Sequence, residues 1–160
     1  MKMMNINMLQ ELYLTEKEMN EGVLMFHVEE EQSFVYYYKN GTLMYLRLLD
    51  GECNMIENLA RDLSLDFDST YKLWKRFGDV DPNLVTPVII VGLPDGRELD
   101  SPLLSSCVAD KYGSFLERVV LELAPTGILR ELKSVVLVGS ICEMPHIRDF
   151  FSKYFTVPAR

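Results

Sequence analysis

The sequence predicts an α/β fold, in which a sheet opens as a β-meander and carries helices packed upon it. Three observations lead there. Residues 22–50 contain three β-rich runs joined by short connections, residues 55–77 switch to helical spacing, and "SVVLVG" near the C-terminus is a buried strand lying between helical segments.

Taken in order, "GVLMFHV" is a short apolar run of the kind that forms a buried strand. "SFVYYYKNGTLMYLRLL" holds two more, joined by Lys39-Asn40-Gly41, and Asn-Gly between such runs is a strong hairpin signal. In "YYY" (Tyr36, Tyr37 and Tyr38), the expectation is a strand-edge pair plus one core residue. "NMIENLARDLSL" then places Met55, Ile56, Leu59 and Leu63 on one helical face. "DFDSTYKLWKRFG" follows as a second helix, with Asp68 or Ser69 as N-cap, basic residues in its last turn and Gly78 as its stop.

"TPVIIVGLPDGRELDSP" reads as a small hairpin turning at Pro94-Asp95-Gly96 and flanked by prolines. A long helix is expected from Ser105, with an apolar stripe of Val108, Tyr112, Phe115, Leu116, Val119, Val120 and Leu123, ended by Pro125 and Gly127. After the strand "SVVLVG", "MPHIRDFFSKYF" is expected to be a helix with Pro145 in its first turn, and "TVPAR" a last strand. No internal repeat or low-complexity tract interrupts this order.

The bulk numbers narrow the function classes. The chain has 160 residues and a formal net charge of −8, with a pI near 4.8, so a nucleic-acid backbone is a poor partner. A partner tail carrying basic and apolar residues suits this charge better. No apolar run is long enough to span a bilayer, and "MKMMNINMLQELYL" lacks the apolar region of a signal peptide. Cys53, Cys107 and Cys142 are odd in number and far apart, which points to reduced thiols in a cytoplasmic protein.

The unusual stretch is "HVEEEQSF". Three glutamates (Glu29, Glu30 and Glu31) sit between two strands, where a tight turn would carry Gly, Asn or Asp. With Glu52 they offer carboxylates for a hard cation, but calcium-loop spacing is missing and consecutive residues point apart, so a solvated acidic loop is the better reading and no metal is expected. His27 and His146 are the only histidines, and surface or packing roles suit them best. Cys142 lies between a strand and a helix start, where a thiolate could be stabilised, but a buried structural thiol is the better reading. "VGSICEM" is not a nucleophile elbow.

The order and these residues together resemble the second large lobe of the actin/heat-shock-chaperone ATPase superfamily, and within it the family of the bacterial cell-division protein FtsA. "LTEKEMNEG" (Leu14 to Gly22) is similar to the acidic lead-in "LTEDE.G" of that family, and the count from Gly22 to Asn40-Gly41 needs no gap. "LLDGECNMIENLA" is similar to its Gly-containing loop and helix, "SLDFDSTYKLWKRFG" loosely to "SxEEAExxKxxxG", and "VVLVGSICEMPH" to "VVLTGGGSxLPG". The resemblance spans about Leu14 to Arg160. It implies an actin-like (ribonuclease-H-like) half domain over residues 22–160, preceded by a lead-in segment 1–21, with a small inserted α+β lobe at about 66–123.

Its departures are informative. Where the family carries the phosphate loop "DIGGGTTD", this chain has His27 at the Asp position, Glu29, Glu30 and Glu31 at the glycines, and Gln32 and Ser33 at the threonines. Glycine lets backbone N–H groups approach phosphates closely. Three carboxylates would instead face a polyphosphate with like charge, at about 1 kcal/mol per close pair even in water. Gly51 and Gly139 keep their loop positions, but Ser140 and Ile141 replace glycines. The lobe carrying the other phosphate loop is not in this sequence, so the chain is expected to be a fragment or a stand-alone degenerate half.

The implied function is therefore non-enzymatic, with no cofactor; ATP and Mg²⁺ enter only in a longer intact protein. The resemblance implies an adaptor that binds the C-terminal tail of the tubulin-like protein FtsZ through the smaller lobe, with self-association through the lobes. The expected surface is Lys72, Trp74, Lys75 and Arg76, the aromatic-basic cluster of "STYKLWKRFG", against helix-dipole complementarity with Trp74 packed beneath. The alternative is a PilM-type actin-like scaffold of a pilus or secretion platform, binding a short peptide of an inner-membrane partner. Either protein would be cytoplasmic, at the inner face of the membrane only through other segments or partners.

Overall fold

The computed structural model describes residues 12–160. Part of the 1–21 lead-in therefore lies outside the described residues. The chain enters through α1 (Glu16–Glu21), which begins with a reciprocal cap: Thr15 accepts from Glu18 N–H at 3.1 Å while the Glu18 carboxylate accepts from Thr15 N–H at 2.9 Å. Gly22 then turns at φ 115°, where a Cβ would meet the Glu131 carbonyl at 2.8 Å.

The meander follows as β1 (Val23–Val28), β2 (Gln32–Lys39) and β3 (Thr42–Asp50), all antiparallel. Asn40 and Gly41 turn at φ 52° and 72°, as Asn-Gly between β-rich runs requires. After α2 (Glu52–Leu63), α3 (Phe67–Phe77), the ribbon β4 (Ile89–Gly92) and β5 (Glu98–Asp100), α4 (Ser101–Leu123) and a short α5 (Ile128–Glu131), the chain returns as β6 (Ser134–Val138). β6 lies parallel to β1, giving a four-stranded sheet in the order β3-β2-β1-β6. A single 3-10 turn (Ser140–Glu143) leads to α6 (Ile147–Phe155). "TVPAR" then runs parallel beside β6 through the Val135–Ala159 bridge, with Leu137 N–H donating to the Arg160 carbonyl at 2.7 Å.

Both faces of β1 are covered, as its nearly continuous apolar run demands. Leu24, Phe26, Val28, Val35, Tyr37, Val135 and Leu137 face the large core shared with α2, α3, α4 and α6. Val23, Met25, Tyr36, Tyr38, Val136 and Val138 face a second, smaller cluster that includes Leu14. The helical stripes fall as their spacing requires, with Met55, Ile56, Leu59 and Leu63 all buried on α2.

Four local expectations are corrected. Tyr36, Tyr37 and Tyr38 are all buried, because β2 lies between β1 and β3 rather than at an edge and alternation sends them into two cores. α3 starts earlier than Asp68 or Ser69: the Asp66 carboxylate caps it, accepting from Ser69 N–H at 2.9 Å. α4 starts at Ser101 rather than Ser105, since Asp100 accepts from Leu103 N–H at 2.8 Å and Pro102, read as a hairpin flank, sits in the first helical turn. Pro145 precedes α6 instead of entering it, and His146, at φ 63°, is the N-cap.

Candidate functional site

The β1–β2 turn, the start of α2, the turn after β6 and the inner side of α3 converge on one crevice. The β1–β2 turn closes on itself through one hydrogen bond, from Glu29 N–H to the Gln32 carbonyl at 3.0 Å. Everything else that shapes it comes from outside. Gly51 N–H donates to the Glu31 carbonyl at 3.3 Å, Glu52 N–H to that of Glu29 at 3.0 Å, and Cys53 N–H to that of Glu30 at 2.8 Å. These are the donors that a helix N-terminus leaves unpaired, and here the glutamate turn's carbonyls occupy them.

The two glycines explain how so close an approach is possible. A Cβ on Gly51 would lie 2.5 Å from Gln32 N and 2.5 Å from the Glu30 carbonyl oxygen. One on Gly139, which sits at φ 97°, would lie 2.5 Å from the Val28 carbonyl oxygen and 2.6 Å from Glu29 Oε1. Both positions are glycine because the turn is pressed against them.

The three glutamate side chains part company. Glu29 Oε1 meets His27 Nε2 at 3.1 Å. Glu30 swings the other way, accepting from the Tyr71 hydroxyl at 2.6 Å and pairing with Lys75 Nζ at 3.2 Å. The Tyr71 hydrogen bond, and then Lys75, hold the Glu30 carboxyl below its ordinary range, while the same bond pushes the Tyr71 phenol up. Glu31 is exposed. Lys75 Nζ also lies 3.8 Å from Glu143. Burial works against its charge, but the neighbouring Glu52 and Glu30 carboxylates hold the ammonium above its ordinary range.

Glu52 is the functional-type residue that sequence reading underrated. It is 1% exposed, and its carboxylate accepts from the Tyr112 hydroxyl at 2.9 Å and the Ser140 hydroxyl at 2.5 Å. Burial, and then the Glu52 charge, push the Tyr112 phenol well above its ordinary range. Glu52 thus ties α2, α4 and the turn after β6 together at the crevice floor. Its signal in the sequence was its place directly after Gly51, in the first turn of a helix.

The space left is small. A crevice of about 30 Å³ is lined by Glu52, Trp74, Lys75, Gly78, Ser140, Glu143, Met144 and Pro145. That is room for roughly one water molecule. One ammonium faces several carboxylates there, so the crevice suits a small donor or cation far better than a polyphosphate. Among the described residues, no group of three or more His, Cys, Asp or Glu side chains is disposed to hold a metal ion.

The remaining candidates fall as follows. Trp74 is 2% exposed and tilts against Tyr112, with ring centroids 5.7 Å apart, so the aromatic of the basic cluster lies in the core. Lys75 turns to the acidic turn. Lys72 and Arg76 are exposed, Arg76 lying over the Phe77 ring at 5.2 Å. The structure therefore joins two groups that the sequence kept 41 residues apart, Glu30 and Tyr71, and divides the α3 cluster into a buried, a crevice-facing and a solvent-facing part. His146 does not meet His27; its Nδ1 contacts Asp79 at 2.9 Å. The Cys142 thiol donates to the Leu137 carbonyl at 3.3 Å, and burial pushes it above its ordinary range. Cys53 is pushed up likewise, by burial and then by Glu30, Glu52 and Glu31. Among the described residues, no helix is long and apolar enough to cross a membrane.

No protein-family model matches the chain, and no curated protein does. Solved structures do. MreB5 of Spiroplasma citri bound to AMPPNP superposes with a TM-score of 0.64 at 12% identity, covering 91% of this chain and 49% of that one. A PilM–PilN type IV pilus biogenesis complex gives 0.62 at 10% identity, covering 89% and 36%. Ta0583, an archaeal actin homologue, gives 0.58 at 16% identity, covering 88% and 42%. This chain therefore has an actin-like ATPase fold, as the resemblance implied. It spans half or less of the length of each of these structures.

Proposed function

We propose that this chain is a non-enzymatic, actin-fold adaptor whose nucleotide crevice is closed by its own acidic turn and which binds a short protein tail. One observation carries the reading. The turn that should offer N–H groups to a phosphate instead directs the carbonyls of Glu29, Glu30 and Glu31 into the start of α2 and adds three carboxylates around it. A polyphosphate entering there would meet occupied donors and like charge. Hydrolysis would need both reversed.

The tail we favour is the C-terminal segment of an FtsZ-type polymer protein, received on the outer face of α3 by Lys72 and Arg76. These are exposed cations on a net-acidic chain, and Trp74 supports the helix from beneath rather than touching the tail. A second reading, a PilM-type scaffold binding a peptide of an inner-membrane partner, draws support from the likeness to the PilM–PilN complex.

Titration with a labelled FtsZ C-terminal peptide tests the first reading. Saturable binding that Arg76→Glu weakens at least tenfold is expected, and no binding at high micromolar peptide overturns it. A labelled peptide of the inner-membrane partner PilN run in parallel separates the second. Mg·ATP is expected to show no saturable binding to this chain; tight binding would refute the closed crevice.

A further inference from the structure

We propose that β3 is a self-pairing edge, through which two copies of this chain join antiparallel about Leu46 into one continuous sheet. β3 ends the order β3-β2-β1-β6, and among the described residues no strand pairs with its outer side. It is nine residues long, so about half of its backbone N–H and C=O groups point away from β2 along a ribbon of roughly 30 Å. Soluble proteins blunt such edges with short strands, charge, proline or bulges. Here β3 carries one such device, a bulge at Met44, where the register passes from Tyr37–Tyr45 to Tyr38–Leu43, and the pairing from Tyr45 to Asp50 is regular.

The side chains do not protect the edge. Leu46 and Leu48 are 46% and 57% exposed on one face, and the bulged Met44 is 63% exposed. The one cation, Arg47, is held on the other face by Glu122 at 3.1 Å, and the Tyr45 hydroxyl donates to the same carboxylate at 3.3 Å. The strand thus offers an apolar stripe on one face and a neutralised charge on the other.

A second copy fits this edge better than an arbitrary strand because the sequence is complementary to itself. Antiparallel pairing centred on Leu46 sets Leu46 opposite itself and Tyr45 opposite the partner's Arg47, with the bulged Met44 beside the partner's Leu48. Apolar meets apolar, an aromatic ring meets a guanidinium, and no acid faces an acid, although the whole chain carries a net charge of −8. A one-strand ribbon lies at the small end of protein interfaces. The dimer is accordingly weak and its population follows concentration.

Sedimentation of the full chain from low micromolar to millimolar concentration reads this directly. The weight-average mass should climb from 18.5 kDa toward twice that value, and Leu46→Lys, which sets ammonium against ammonium at the two-fold, should shift the midpoint at least tenfold higher. Register is read by oxidative cross-linking. A Leu46→Cys variant faces its own copy at a Cα separation of about 5 Å, within disulfide reach, and should cross-link at least tenfold faster than Thr42→Cys or the unsubstituted chain. A mass constant with concentration, an unchanged midpoint in a folded Leu46→Lys chain, or equal cross-linking at both positions would each overturn the proposal.

Discussion

The β-meander contains two strand-to-strand turns made in opposite ways. At the β2–β3 turn, Asn40 and Gly41 adopt φ 52° and 72°, and the local residues choose the geometry. At the β1–β2 turn, Glu29, Glu30 and Glu31 take no positive φ, and the connection is held by the first N–H groups of α2, by Gly51 and Gly139, and by Tyr71 and Lys75. The first turn would be read correctly from a short window. The second has no local logic, and its charge is tolerated because the surroundings supply donors on three sides.

The sharpest way to break this contrast is to push the acidic turn off its seat. Gly51→Ala places a methyl 2.5 Å from two backbone atoms and should lower stability by roughly 3 kcal/mol. Urea unfolding followed by fluorescence of Trp74, the single tryptophan, measures it. Little change would mean that the turn is free to move and is not seated on α2.

Next in size is the crevice floor. Glu52→Ala strands the buried Tyr112 hydroxyl and should lower stability by about 2 kcal/mol, with Glu52→Gln recovering part of it in the same assay. At the local turn, Gly41→Ala should shift stability by only about 1 kcal/mol, the strain of a left-handed backbone carrying a Cβ. A larger loss there than at Gly51 would reverse the comparison.

The smallest effect is the acid dependence of the turn's outer tie. Glu30 has its folded carboxyl held below the ordinary value, so its contribution is fully present above that ordinary value and is lost as pH falls through the lower, folded one. A carboxyl-resolved NMR titration should find Glu30 titrating below the ordinary glutamate value, and Tyr71→Phe should move it back up. A Glu30 titration unchanged by Tyr71→Phe would show that the Tyr71–Glu30 bond does not persist in solution.

How far the sequence could be read follows the same division. The strands, the α2 face and the Asn-Gly turn were legible because apolar period and positive-φ residues act over a few positions. Helix starts were misplaced by a few residues where a capping carboxylate competed with a nearby alternative, as Asp66 did with Asp68. The actin-like fold was legible through the order and spacing of the elements together with short stretches such as Leu14 to Gly22 and the Asn40-Gly41 turn. At the site, the glutamates and the α3 cluster were found as separate features, and their union was not.

By itself, then, the sequence determined the alternation of strands and helices, the hairpin at Asn40-Gly41 and an acidic β1–β2 connection without turn residues. Those properties follow from short-range sterics and from burial periodicity, which adjacent residues decide. The tertiary structure alone decided that Glu29–Glu31 would cap α2, that Glu52 would be buried between Tyr112 and Ser140, that Lys75 would reach Glu30 while Arg76 lies over Phe77, and that β3 would be an edge. Each of these depends on which distant segments the fold brings within hydrogen-bond range, and no local window contains that distance.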